Sequence, residues 1–353
     1  MTTQIERNKQ FLTDLFSGPF RGHGLIVRHQ PVAESPLGDF LVSERPVTDW
    51  LPWARENYAA QLKLLEATGH DAVPFLYLTT TTGNFAAGFG APIHKFEGSN
   101  AAAAPCVFSA AAADRLPQPD IWQMPTVTRW FELGRAIQNA LGRDVPFNVP
   151  DIQSPFDIAA IAWSKEDLFL NMVENPEAVK RLVAKGLVMV QQFLRAAIKE
   201  FPQLNVCHCP MVWVPPRLGI ALSEDEAGSM SAEMFEEFCL PSLLELTREF
   251  GGMFVHCCAK ADHQYASFRK IPNLRGLNRI FQYPSGHRPA FETFGDQTVF
   301  MQSWQPEEKV YEYLDTAPPG TRFLFNLDPQ PTLDDARRLY DRIRARCPRS
   351  VCR

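Results

Sequence analysis

Through the second half of this 353-residue chain, short apolar runs alternate with longer helical patterns, and that alternation restricts the fold more than any other feature. The runs Phe75 to Leu78, part of Trp213 to Leu222, Met253 to Cys257, Leu274 to Leu277, Val299 to Gln302 and Arg322 to Leu327 read as strands. They are short and mostly non-alternating, as strands covered on both faces are. Strand, helix, strand in series predicts a parallel sheet, and either a barrel or an open sheet satisfies the pattern.

The intervening helices are marked by caps. Asn175-Pro176-Glu177 opens one with an N-cap, a first-position proline and an acidic first turn, and Val179, Leu182, Val183, Val190, Phe193 and Leu194 follow near the helical period. Ser231 and Glu233 open a second, which runs to Gly251-Gly252. Thr332 and Asp335 form a capping box before Ala336, Leu339, Tyr340 and Ile343. No repeat, low-complexity linker or domain boundary interrupts the chain, so one domain over residues 1–353 is expected. Residues 1–50 are read as N-terminal decoration and 340–353 as a tail.

Polar residues gather just past the proposed strands: Ser223-Glu224-Asp225, Cys258 to His263, Asn278-Arg279, Gln302-Ser303 and Asn326 to Asp328. In a barrel these positions share the C-terminal rim, where such enzymes place their chemistry. Glu224, Asp225, Asn278 and Gln302 are therefore the expected catalytic residues.

The formal net charge is −5 with scattered basic residues, which excludes a nucleic-acid-binding stripe. The polar first twenty residues lack a signal-peptide core, and no run approaches the ~20 apolar residues that span a bilayer. The expected setting is cytoplasmic, away from membranes, with thiols reduced. The eight cysteines are too few for a disulfide scaffold, but they cluster with histidine at Cys207-His208-Cys209 and His256-Cys257-Cys258. On an extended strand, His256 and Cys258 project to the same side, and a thiolate with an imidazole suits zinc. The spacing alone favours the plainer reading, a buried thiol beside a hydrogen-bonded histidine. In the other cluster at most Cys207 and Cys209 share a face, and they read either as a packed thiol pair or as a substrate or metal contact. Asp262 and His263 form a further polar pair, and Trp213, Trp304, Tyr283 and Phe281 are candidate pocket aromatics.

Ser223 to Asp262 contains Met230-Ser231-Ala232-Glu233-Met234-Phe235, Leu240-Pro241 and Phe254-Val255-His256-Cys257-Cys258. It resembles the uroporphyrinogen decarboxylase superfamily, in which an acidic loop, a Ser-Pro-Glu-type helix start and a Leu-Pro step lead into a strand ending His-x-Cys-Gly. Upstream, Ala86-Ala87-Gly88-Phe89-Gly90 and Asp151-Ile152-Gln153-Ser154-Pro155-Phe156, the latter ahead of Pro176 to Val179, are similar to further segments of that family. The resemblance covers about residues 50 to 340 and implies a (β/α)8 TIM barrel.

The decarboxylase branch carries an arginine-rich N-terminal segment and a catalytic aspartate. Arg21-Gly22-His23-Gly24 does not match the first, and Thr79 to Thr82 stand where the aspartate belongs. The resemblance therefore implies the corrinoid-linked methyltransferase branch, in which zinc on His-x-Cys and a later cysteine binds a substrate thiol. His256 and Cys258 match the first two ligands. The third cysteine is absent, Ala259 replaces the motif glycine, and the corresponding stretch reads Phe325-Asn326-Leu327-Asp328-Pro329. Asp328 is the expected third ligand, with Glu224 or Asp225 as a further candidate and a turn residue before Pro329 as the alternative for Asp328. The resulting expectation is a weakly held zinc, a small-molecule substrate and a corrinoid brought by a partner protein. The rival readings are a lyase acting on a porphyrinogen or other small acid, and a non-catalytic barrel that only binds a corrinoid or tetrapyrrole.

Overall fold

Five of the six apolar runs supply strands to one sheet, and a sixth strand comes from the N-terminal region. The structure is a computed structural model describing residues 2–18, 22–29, 35, 39–95, 101–281, 286–295 and 297–347. Its strands are β1 (His23–His29), β2 (Ile93–His94), β3 (Ala102–Ala103), β4 (Ile220–Ser223), β5 (Met253–Cys257), β6 (Leu274–Arg279), β7 (Val299–Gln305) and β8 (Arg322–Gln330). The sheet has six strands in the order β1-β8-β7-β6-β5-β4. Every neighbouring pair is parallel, so all C-terminal ends lie along one edge. β2 and β3 form a separate antiparallel pair.

The eight continuous barrel strands expected from the sequence are thus corrected to six among the described residues. Beyond β4 the parallel order continues only as the isolated bridges Gln153↔Ser223, Asn148↔Asn205 and Leu76↔Phe147. Proline is the reason. Pro74, Pro146, Pro150, Pro202, Pro210, Pro215 and Pro216 fall in or beside these segments, and each removes an N–H that a ladder needs. Side chains substitute for the missing rungs: Leu78 N–H donates to Asn148 Oδ1 at 2.6 Å, and Val214 N–H to Asn205 Oδ1 at 3.3 Å.

β1 lies inside the region read as decoration. Leu25-Ile26-Val27 is too short an apolar run to stand out, yet it pairs with β8 along its length. At the other end, the helix Leu333–Arg346 runs through the start of the supposed tail, with Thr332 Oγ1 accepting from Asp335 N–H at 3.0 Å as the capping box predicts. The helix Pro176–Glu200 starts where expected, although Asn175 donates to Asn171 Oδ1 at 2.8 Å and does not cap it. The helix expected from Ser231 to Gly251 is two, Ala232–Phe238 and Leu240–Phe250, divided where Pro241 lacks the N–H to continue the first.

The sheet buries both faces. Phe300 and Phe323 pack on Phe291 of the helix Arg288–Phe294, with ring centroids 4.7 and 5.1 Å away. On the opposite face Phe254 meets Phe16 of the N-terminal helix Thr2–Ser17 edge-on at 5.1 Å, and Arg322 donates to Leu15 O at 2.5 Å. Gly276 shares that inner face, because a Cβ there would lie 2.8 Å from Phe254 and 2.9 Å from Met301. Burying each such phenylalanine contributes about 1.5–3 kcal/mol, and together they fix which residues point inward.

Candidate metal centre

Side chains alternate along a strand, so Phe254 facing inward requires His256 to do so as well. Ser223, His256 and Asn278 stand opposite one another across β4, β5 and β6 and therefore share this inner face. The same parity sends Cys257, Arg279 and Gln302 outward. Glu224, one residue past Ser223, is likewise carried off the inner face, with its N–H donating to His256 O at 2.8 Å.

Asp225, His256 and Cys258 each offer a ligand atom, and these atoms lie within 4.8 Å of one another. No other group of three such side chains occurs among the described residues. Asp225 Oδ1 is 3.1 Å from Cys258 Sγ and 3.9 Å from His256 Nε2, and it also accepts the Cys258 N–H at 2.6 Å. Burial pushes the Cys258 thiol up to about 12, with the Asp225 carboxylate adding to the shift. A thiol in this setting ionises readily only when a cation compensates the two adjacent negative charges.

The neighbours fix which histidine nitrogen faces the cluster. Asn278 Nδ2 donates to Met301 O, so its Oδ1 points at His256 Nδ1, 2.6 Å away. Nδ1 consequently carries the proton and Nε2 is the bare nitrogen turned toward Asp225. Cys209 Sγ also lies 3.3 Å from Nδ1.

Buried groups hold the two loops. Asp157, on the helix Pro155–Ala162, accepts the N–H of Asp225 at 2.7 Å and of Glu226 at 3.1 Å. Arg279 donates to Cys257 O at 2.6 Å and Ala259 O at 2.7 Å and pairs with Asp262 at 3.2 Å, bracketing Cys258. Neither Asp157 nor Arg279 carries a sequence signal for this role, since both act from segments remote along the chain.

Of the residues expected at the site, His256, Cys258, Asp225 and Asn278 are brought together. Glu224 and Gln302 are not. Glu224 is fully buried beside Asp157 and Ser154, and burial raises its pKa to about 7. Gln302 is buried on the outer face with its Nε2 unbonded among the described residues. Asp328 lies outside the ligand cluster: β8 continues through Gln330, with Pro329 paired to Arg28, where a turn was the alternative reading. Cys207 is buried and donates to Pro210 O at 3.3 Å, so of its cluster only His208 and Cys209 approach the site. His263 meets Met230 O at 2.8 Å. Among the aromatics, Trp213 lines a cleft with Ile26, Arg28, Tyr77 and Met211 that does not include the ligand cluster. Trp304 is exposed under the Arg28 guanidinium, Phe281 packs on Phe291, and Tyr283 and Arg21 lie outside the described residues.

No family model and no curated protein matches the chain. Among solved structures, a methyltransferase from Methanosarcina mazei matches with a TM-score of 0.62 at 14% identity, over 94% of this chain and 97% of that one. The two share an α/β fold with a parallel sheet. Two structures of the homocysteine methyltransferase MmuM from Escherichia coli, apo and metallated, match with TM-scores of 0.22 and 0.25 at 13% and 12% identity. They cover 49% and 66% of this chain and 87% and 89% of their own. No helix among the described residues is long and apolar enough to cross a membrane.

Proposed function

We propose that this protein is a methyltransferase-like enzyme that binds zinc through Asp225, His256 and Cys258 and transfers a methyl group between a small thiol and a corrinoid carried by a partner protein. The observation that carries the reading is the meeting of these three ligand atoms within 4.8 Å, at the strand ends of a fold shared with a methyltransferase. Ligands bonded to zinc at ~2.0–2.3 Å in a tetrahedron stand roughly 3.3–3.8 Å apart. The separations of 3.1 and 3.9 Å bracket that range, so the donor set fits.

A zinc ion held there supplies one thing, a lowered pKa for a substrate thiol at its fourth position. The chain's own residues do the rest. Asn278 keeps His256 Nε2 free as a ligand, Asp157 fixes the Asp225 loop, and Arg279 fixes the carbonyls on either side of Cys258. In methyl transfer to the thiol, the donor–carbon bond breaks, a sulfur–carbon bond forms, and the thiol proton leaves to solvent. Replacing the second thiolate with a carboxylate reduces soft donation, so binding should be weaker than at a two-cysteine site.

Zinc titration against a chromogenic chelator tests the site. Wild type should take up about one equivalent, and His256→Ala or Cys258→Ser should weaken uptake more than a hundredfold. Cys257→Ser, facing outward, should change it less than threefold. Equal uptake by wild type and both ligand variants would refute the metal assignment. Methylation of a thiol by methylcobalamin, measured on the zinc-loaded protein, tests the reaction separately.

A further inference from the structure

Beside His256, on the side away from Cys258, lies a second set of polar groups. Cys209 touches His256, and the adjacent His208 points Nε2 toward Tyr77 Oη at 3.3 Å and Thr80 Oγ1 at 3.5 Å. Its Nδ1 is 3.6 Å from Asp151 Oδ1, too far for a hydrogen bond. The Asp151 backbone N–H donates to Thr80 Oγ1 at 2.7 Å, and its Oδ1 accepts from Gln153 Nε2 at 3.0 Å. Asp151 is 7% exposed, and its Oδ1 takes the Gln153 amide. The segment is tied to the metal histidine in register, because Gln153 bridges to Ser223 and Ser223 pairs with His256.

We propose that Asp151 receives a protonated amine of the substrate, so that the thiol bound beside His256 and Cys258 belongs to an aminothiol. This rests on the metal reading given above. Charge balance favours it. A divalent ion is neutralised by the Asp225 carboxylate and the Cys258 thiolate, so Asp151 is not needed for the metal's charge balance and is held ionised when a substrate cation meets it. A buried carboxylate held by one amide is a costly arrangement unless a cation completes it. An ammonium with three donors supplies that cation, whereas an anionic group there would meet repulsion.

The test compares three thiols of similar length on the zinc-loaded protein by calorimetry: cysteamine, 2-mercaptoethanol and 3-mercaptopropionate. Cysteamine should bind at least tenfold more tightly than 2-mercaptoethanol, and 3-mercaptopropionate most weakly. Asp151→Asn should reduce the cysteamine preference to less than threefold, while its affinity for 2-mercaptoethanol stays within twofold. Equal binding of cysteamine and 2-mercaptoethanol by the zinc-loaded wild type overturns the amine site and leaves the metal reading intact. Absence of zinc uptake by wild type overturns both. The wild-type series decides the matter even if Asp151→Asn does not fold.

Discussion

His256 turns Nε2 toward Asp225 and Cys258 because Asn278, itself oriented by Met301 O, holds the other nitrogen. Groups that act through a ligand in this way typically affect metal affinity ten- to a hundredfold. Asn278→Leu should therefore weaken zinc binding by about 10–100-fold with little change in unfolding midpoint, whereas Asn278→Asp, which keeps the acceptor, should retain most of the affinity. Equal loss in both variants would mean that Asn278 acts by packing. The meeting of His256 and Cys258 was legible in the sequence, since His-x-Cys at a strand end puts both residues on one side. Asp225 was named there too, among the catalytic residues and as an alternative ligand. Asp151 stood inside a recognisable segment and Asp157 just past its end, but neither carried a chemical signal, because their partners Thr80, His208, Asp225 and Glu226 arrive only through folding.

At the scale of elements, the second half was legible because its strands are uninterrupted apolar runs with capped helices between them. The first half was not, because its prolines break the ladders and side-chain amides replace the rungs. Glu224 and Gln302 illustrate a further limit: proximity to a strand end is visible in sequence, but the face is known only once a neighbour such as Phe254 is seen to point inward. Arg279 joins two elements, anchored on β6 and holding the chain leaving β5 through Cys257 O, Ala259 O and Asp262. Arg279→Met would take the guanidinium from Cys257 O, Ala259 O and Asp262, which keeps the Tyr265 hydroxyl at 2.9 Å, and removing one partner of a buried pair costs about 3–5 kcal/mol. Urea denaturation should register a loss of that size, accompanied by weaker zinc binding. A loss below about 1 kcal/mol would mean that water or a neighbour replaces the guanidinium.

The stability of the whole molecule should depend on pH through buried groups on both sides of neutrality. Burial raises Asp151 and Glu224 to about 7 and Asp39 to about 6, so the stabilisation these carboxyls give in their protonated form is lost as pH rises through those values. Histidines tilt the other way. His70, enclosed between the N-terminal helix and β1, accepts the Val27 N–H on Nδ1 at 3.1 Å, and burial lowers its pKa from 6.5 to about 3. His23 is lowered to about 4 by burial and by the Arg344 charge. Because the unfolded chain binds these protons first, stability from both histidines is lost as pH falls from about 6.5 toward the folded values. At pH 5, roughly 1.5 pH units below the unfolded pKa, His70 alone accounts for about 2 kcal/mol. A His70→Gln variant can keep an acceptor for Val27 while removing the titration, which separates this contribution from the opposing carboxyls. Urea melts of wild type and His70→Gln at pH 7 and pH 5 should show the wild type losing about 2 kcal/mol relative to the variant on acidification. A difference between the two proteins that does not change with pH would place His70 in contact with solvent and remove it from the acid sensitivity of the fold.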